Sequence, residues 1–246
     1  MTVFYTLGTS HGAAEPGRSC SVNLLEVDGA YYIFDCGGNV ETKMKDLGLP
    51  MAAVRAVFIS HMHEDHVGSL SAIAKNFISY VKTGEHVGLY MPEPEGIAAF
   101  RAWMLALHEP PDAMECLEFA DITAGEIYRD ERITVTAIPT KHLRAVGAPS
   151  FAFDIRTKEK RLLYTGDLSF DFSDYPAVLV CEDFDLVVSE LVHFNPEAQL
   201  DVLRATRTKA LVFTHVNLKK AERIRELAAT FPFFVTVAED NDAFPV

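Results

Sequence analysis

A mixed α/β sandwich, with helices packed outside its sheets, is the fold class this sequence predicts, on three observations. Strand-rich blocks fill the opening third and the stretch from about residue 115 to 165. Helices interleave with strands elsewhere, and no linker, repeat or low-complexity segment divides the chain. We therefore expect one domain over residues 1–246, long enough to enclose a sizeable core.

The elements follow in order. VFYTL, SVNLLEV and YYIFD are apolar runs of strand length bounded by turn signals, the last two forming a hairpin over residues 21 to 35 around Asp28–Gly29. NVETKMKDLG, residues 39 to 48, reads as a helix closed by Gly48. VRAVFIS, residues 54 to 60, is β-branched and apolar, hence a buried strand, and SLSAIAKNFISYV behind it has helical spacing. VGLYM is a short strand, and PEGIAAFRAWMLAL begins with the proline that suits a first helical turn. ERITVTAIP, PSFAFDIR and RLLYTGD then read as strands, with Lys158–Lys160 as a polar turn. The last third alternates strand LVVSEL, helix PEAQLDVLRA, strand KALVFTH, helix LKKAERIRELAAT and strand FFVTVA.

Composition narrows the function. Hydrophobic residues make up 49% and charged residues 23%, the balance of a folded soluble chain. Acidic residues outnumber basic ones 35 to 22, for a net charge of −13, so the surface repels phosphate backbones and long nucleic acid is a poor expectation. MTVFYTLGTSHGAA has neither a basic nor an apolar leader region, and no apolar run is long enough for a bilayer; we expect a cytoplasmic protein with no membrane partner. Cys20, Cys36, Cys116 and Cys181 show no Cys-x-x-Cys pair and read as buried thiols.

ISHMHEDHVGSL, residues 59 to 70, carries the chemistry. It packs His61, His63, Asp65 and His66 into six positions at the C-terminal end of a buried strand. In a loop leaving a strand, His61 and His63 can point one way, and Asp65 with His66 can turn to a second point nearby. Imidazole with carboxylate suits zinc or a similar borderline ion. Four residues do not complete two sites, so further ligands are expected at other strand ends. His142 after ITVTAIP, Asp167 ending RLLYTGD and His215 ending ALVFTH occupy such places.

With these motifs the sequence resembles the metallo-β-lactamase fold superfamily of dinuclear metal hydrolases over nearly its whole length. The resemblance implies an αββα sandwich with the metals at one edge between the sheets. It implies that His61, His63 and His142 hold one ion, that Asp65, His66 and His215 hold the other, and that Asp167 bridges them. Asp35, in YYIFDCG, would lie beneath the cluster and orient it. His63 stands where the di-iron reductases of the superfamily carry glutamate, and Asp167 where many true β-lactamases carry cysteine; redox chemistry and antibiotic hydrolysis recede. LGTS, IFDCGGN, LVVSELVHFNPEA and VAEDND are most similar to the ribonuclease Z and small phosphodiesterase branch. The arm that grips tRNA there is missing, because only 24 residues separate His142 from Asp167.

The expected function is a dinuclear metal hydrolase cutting a small or cyclic phosphodiester through a metal-bridging hydroxide, with zinc expected ahead of manganese or iron. The alternatives are an acyl hydrolase, thioesterase or lactonase, on the same metals, and a metal-dependent binding protein without turnover. Asp65, His193 and Glu190 are the candidate catalytic residues, His193 as proton donor to a leaving oxygen with Glu190 orienting it; the competing role for His193 is to cap PEAQL. His11 and Arg144 are candidate contacts for a small anionic substrate. His86 and His108 read as surface residues, and Lys219, Lys220, Arg223 and Arg225 as a solvated helix face. A homo-oligomer is compatible with the sequence.

Overall fold

The first residues form Thr2–Gly8 (β1), and a loop leads to Val22–Val27 (β2) and Ala30–Cys36 (β3). Asp28 and Gly29 both take left-handed backbone, φ 48° and 77°, and so close the expected hairpin tightly. This computed structural model describes residues 1–12, 15–81 and 86–246. Ala13 and Ala14, which end the stretch TLGTSHGAA, lie outside the described residues. Val40–Asp46 (α1) is capped by the Asn39 side chain and stops at Gly48, whose φ is 69°. Val54–Phe58 (β4), Glu64–Val67 (α2), Leu70–Ser79 (α3), Val87–Met91 (β5), Pro94–Ala106 (α4) and Leu117–Asp121 (β6) complete the first half. The second half runs Gly125–Arg129 (β7), Ile133–Pro139 (β8), Phe151–Thr157 (β9), Arg161–Tyr164 (β10), Val178–Cys181 (α5) and Phe184–Leu191 (β11). It continues through Leu200–Arg204 (α6), Thr208–Val216 (β12), Leu218–Leu227 (α7), Phe234–Val237 (β13) and Asp242–Pro245 (β14).

Among the described residues these strands form two seven-stranded mixed sheets, ordered β14-β1-β2-β3-β4-β5-β6 and β13-β12-β11-β10-β9-β8-β7. Each sheet joins an antiparallel meander to a parallel run: β3 to β6 in the first and β10 to β13 in the second. Alternation sorts the side chains into layers. Phe34, Phe58, Phe153 and Tyr164 fill the space between sheets, with Phe34 and Phe58 stacked at 5.1 Å. On the outer face of the first sheet, Ile33, Val57 and Leu89 meet Met44, Ile73 and Phe100 from its helices. On the other, Val187, Leu211 and Phe213 meet Leu203 and Ile224. The expected αββα sandwich is the fold observed.

Three expectations need correction. PEAQLDVLRA forms a short 3-10 turn, Glu197–Gln199, and then only the five residues of α6, because few of its apolar side chains reach the sheet. The cysteines are not uniformly buried: Cys36 is, Cys20 and Cys116 are half-buried, and Cys181 is exposed at the end of α5. Lys220 is not part of a solvated face, since it turns inward from α7 to the carbonyls of Val192 and Phe194. His86 and His108 are exposed, as expected. Among the described residues no helix is long and apolar enough to cross a membrane.

Candidate metal centre

Parallel strands end together, and loops leaving their C-terminal ends converge. His61 follows β4, and one turn later the short helix α2 carries Asp65 and His66. His142 follows β8, Asp167 follows β10, and His215 lies in the last turn of β12 with φ 49°. The structure gathers all seven into two adjoining groups: His61, His63, His142 and Asp167, and Asp65, His66 and His215.

Distances within these groups fit a metal better than they fit hydrogen bonds. Asp167 Oδ2 lies 3.6 Å from His61 Nε2, 3.7 Å from His142 Nε2 and 3.5 Å from His215 Nε2, while Asp167 Oδ1 lies 3.5 Å from His66 Nε2. Asp65 Oδ2 is 3.6 Å from His66 Nε2 and 3.7 Å from His215 Nε2. Nitrogen and oxygen ligands about 2.1 Å from a tetrahedral ion stand about 3.4 Å apart. His63 Nδ1 completes the first group, 3.1 Å from His61 Nε2 and 3.2 Å from His142 Nε2. Moreover, His66 Nε2 and Asp167 Oδ1 are buried without a hydrogen-bond partner among the described residues. Orphaned buried polar atoms are costly, and an ion between them removes the cost. The His/Asp cluster therefore fits a metal site.

Beneath the cluster lies Asp35, fully buried and left-handed at φ 61°. It accepts four hydrogen bonds: from Ser60 N, Ser60 Oγ and Tyr164 OH, each at 2.7 Å, and from His66 Nδ1 at 2.8 Å. Sending the His66 Nδ1 proton to Asp35 leaves Nε2 to face the cluster. Gly37 permits this approach, because a side chain there would stand 1.7 Å from the Asp65 carbonyl oxygen. Electrostatics differ around the ring of ligands. Burial lowers the pKa of His61, His142 and His215, keeping the neutral form that ligates. At His66 burial is opposed and outweighed by Asp167 and Asp35, which raise its pKa well above the ordinary value. Burial of Asp167 is likewise outweighed by His215 and His66, which hold its carboxyl well below the usual range.

His193 reaches the same cluster, with Nδ1 3.6 Å from Asp167 Oδ2 and 3.1 Å from Glu190 Oε1. Burial lowers its pKa, but Glu190 and Asp167 prevail and raise it. Glu190 is itself fixed by the backbone N–H groups of Leu168, Val192 and His193. The imidazole thus faces the cluster and not the PEAQL turn. His193 also lies close enough to group with Asp167 and His215.

The weaker candidates divide. A side chain built on Gly12 would meet Asp65 Oδ2 at 3.5 Å, so the loop carrying His11 lies over Asp65, with His11 beside Glu15 at 3.6 Å. Arg144 is exposed and bonded to Asp171 at 2.9 Å. Sequence reasoning missed the supports: Ser60, Tyr164, Lys220 and Asp240. Asp240 accepts from Thr9 N, Thr9 Oγ1, Ser19 N and Lys43 Nζ, and Thr9 in turn accepts from Val216 N beside His215. The sequence signal for Asp240 is the acidic VAEDND stretch.

Comparison with known proteins gives the chain a family and a fold. The family model described as anti-Pycsar protein Apyc1 matches residues 2–229. Ribonuclease Z of Anoxybacillus flavithermus is 31% identical over 158 residues, covering 62% of this chain and 47% of the relative. The anti-Pycsar protein Apyc1 of Bacillus phage vB_BsuM-Goe3 is 25% identical over 175 residues, 67% of each chain. The chain spans about half the length of the ribonuclease Z relatives it matches. Among solved structures, the metallo-β-lactamase fold protein YhfI from Bacillus subtilis superposes with a TM-score of 0.79 over 100% of both chains at 19% identity. With a fold shared along its entire length and a family match over most of it, the chain belongs to the anti-Pycsar protein Apyc1 family, on the metallo-β-lactamase fold.

Proposed function

We propose that residues 1–246 act as one hydrolase domain that uses two divalent ions, zinc foremost, to cut a small or cyclic phosphodiester. The observation that carries this reading is the pair of ligand groups meeting at one shared carboxylate, Asp167, with a histidine–glutamate pair at their edge. His61, His63 and His142 would hold one ion and Asp65, His66 and His215 the other. When bound, such ions bring the pKa of water toward neutrality and draw charge from a phosphoryl oxygen.

The chain's own residues supply the rest. Asp35 fixes the tautomer of His66, and Ser60 joins Asp35 to His61 through Nδ1 at 3.0 Å. Glu190 holds His193 and favours its protonated form, the form that hands a proton to a departing alkoxide. Lys220 fixes the carbonyls on either side of His193, so the donor is held in place. His11, on the loop over Asp65, is the candidate contact for an entering anionic substrate, whereas Arg144 is paired with Asp171 at 2.9 Å. A small substrate is favoured by what joins His142 to Asp167: a short loop and the β9–β10 hairpin, with no room for a nucleic-acid arm. The net charge of −13 points the same way. The family match to Apyc1 and the partial match to ribonuclease Z support phosphodiester chemistry.

The test is a panel on purified, metal-analysed protein: cyclic nucleotides, bis-p-nitrophenyl phosphate, a thioester, a lactone and a precursor tRNA. Phosphodiesters should turn over, and His63→Ala should abolish it. His193→Ala should slow the cyclic nucleotides far more than the nitrophenyl ester, whose leaving group needs no proton. Preferential thioester or lactone hydrolysis, or site-specific tRNA 3′ cleavage that His63→Ala removes, would overturn the assignment.

A further inference from the structure

Phe170 lies three residues beyond Asp167 and leaves 77% of its surface in solvent. Its ring centroid is 5.3 Å from that of His193, with the planes 79° apart, so the ring stands edge-to-face against the site's proposed proton donor. The surrounding loop is braced on every side. Ser169 donates through both N and Oγ to Asp174, which also accepts from Lys141 N at 2.6 Å. Phe172, left-handed at φ 59°, turns the chain back into the core, packing 4.3 Å from Phe194 and 4.6 Å from Tyr175. Asp171 accepts from Ser173 N and from Arg144, which ties this loop to the one that follows His142.

An exposed aromatic on a loose loop is ordinary surface. Here neighbouring residues anchor the loop from both directions while Phe170 alone is turned outward beside the reacting groups. Aromatic faces held open at a phosphodiester site suit a planar heteroaromatic base, since every nucleobase offers a π-face. We propose that Phe170 is a stacking platform for the nucleobase of a nucleotide-sized phosphodiester, placed on the leaving-group side marked by His193. This rests on the phosphodiesterase reading and adds to it one residue, the side chain against which the base is received. Arg144 is, on this view, a tether that sets the platform's position through Asp171.

The experiment compares wild type, Phe170→Ala and Phe170→Trp, all metal-loaded, on 3′,5′-cyclic nucleotides of four bases and on the base-free 3′,5′-cyclic phosphate of 1-O-methylribose. Phe170→Ala should raise KM for every nucleotide by about 5- to 150-fold more than it raises KM for the base-free substrate, and Phe170→Trp should restore the wild-type ratio. Calorimetric binding of the matching non-hydrolysable phosphorothioates should show the same base-dependent loss. That readout separates the two ideas: base-dependent binding without turnover retains the platform and removes the phosphodiesterase reading. Equal effects of Phe170→Ala on base-bearing and base-free ligands, or none on either, would overturn the platform.

Discussion

Replacing Asp35 with asparagine tests how far the metal centre depends on a residue that touches no ion in the proposed scheme. In the wild type, Oδ2 accepts from Ser60 Oγ, Tyr164 OH and His66 Nδ1, while Oδ1 accepts from Ser60 N. Asparagine keeps the first three bonds if its amide oxygen takes the Oδ2 position, but its NH2 then faces the Ser60 N–H, and two donors confront each other. An orphaned buried N–H costs about 1–3 kcal/mol, and the remaining bonds weaken once the acceptor is neutral. The metal-free protein should therefore lose about 2–4 kcal/mol in urea unfolding. His66 also loses the carboxylate that holds its orientation through Nδ1. Such loss of a histidine's supporting carboxylate typically costs about 10- to 100-fold in metal affinity, or about 1.4–2.7 kcal/mol. Titration against a chromophoric chelator should show one ion weakened by that factor and the other, bound through His61, His63 and His142, nearly unchanged. Alanine is the less useful variant, because four abandoned donors approach the stability of a whole domain. Unchanged affinity for both ions, or equal weakening of both, would refute the reasoning.

Two further outcomes follow from the same neighbourhood. Gly37→Ala places a methyl group 1.7 Å from the Asp65 carbonyl oxygen and 3.0 Å from His66 N, so α2 must move; we expect a loss of about 1–3 kcal/mol and release of the Asp65–His66–His215 ion first, read by thermal unfolding and metal analysis. The raised pKa of His66 gives a pH signature: below that pKa, binding at its site must expel a proton, so affinity falls as pH falls, and calorimetry in buffers of different ionisation enthalpy should detect the released proton. The sign reverses for stability of the chelated protein, where the His66 contribution is fully present below about pH 6.5 and disappears as pH rises through the elevated folded value.

The strands that were legible in sequence are those with both a strong apolar pattern and a local partner. β4 announces itself by VRAVF, and β2 and β3 by a two-residue turn with both residues left-handed. β6, β7 and β14 went unnamed because they are edge strands, half-exposed and short, and β14 finds its partner β1 more than 230 residues away. Pairing of that kind leaves no trace in a local window. At the site, histidine and aspartate identity, with positions at strand ends, marked every residue of the two groups. The supports were invisible for a different reason: a serine, a tyrosine and a lysine are common residue types, and only folding reveals that Ser60 and Tyr164 share one carboxylate or that Lys220 bonds the backbone beside His193. Phe170 looked like any apolar residue until its exposure was known.

The two ligand groups draw on both halves of the chain: His61, His63, Asp65 and His66 leave the first sheet, whereas His142, Asp167 and His215 leave the second. Neither sheet owns a complete set for either proposed ion. The seven side chains therefore stand together only once β12 has been made and the two sheets have closed on each other. A copy that ends before β12 would lack His215, and closure of one sheet on the other is what completes the cluster.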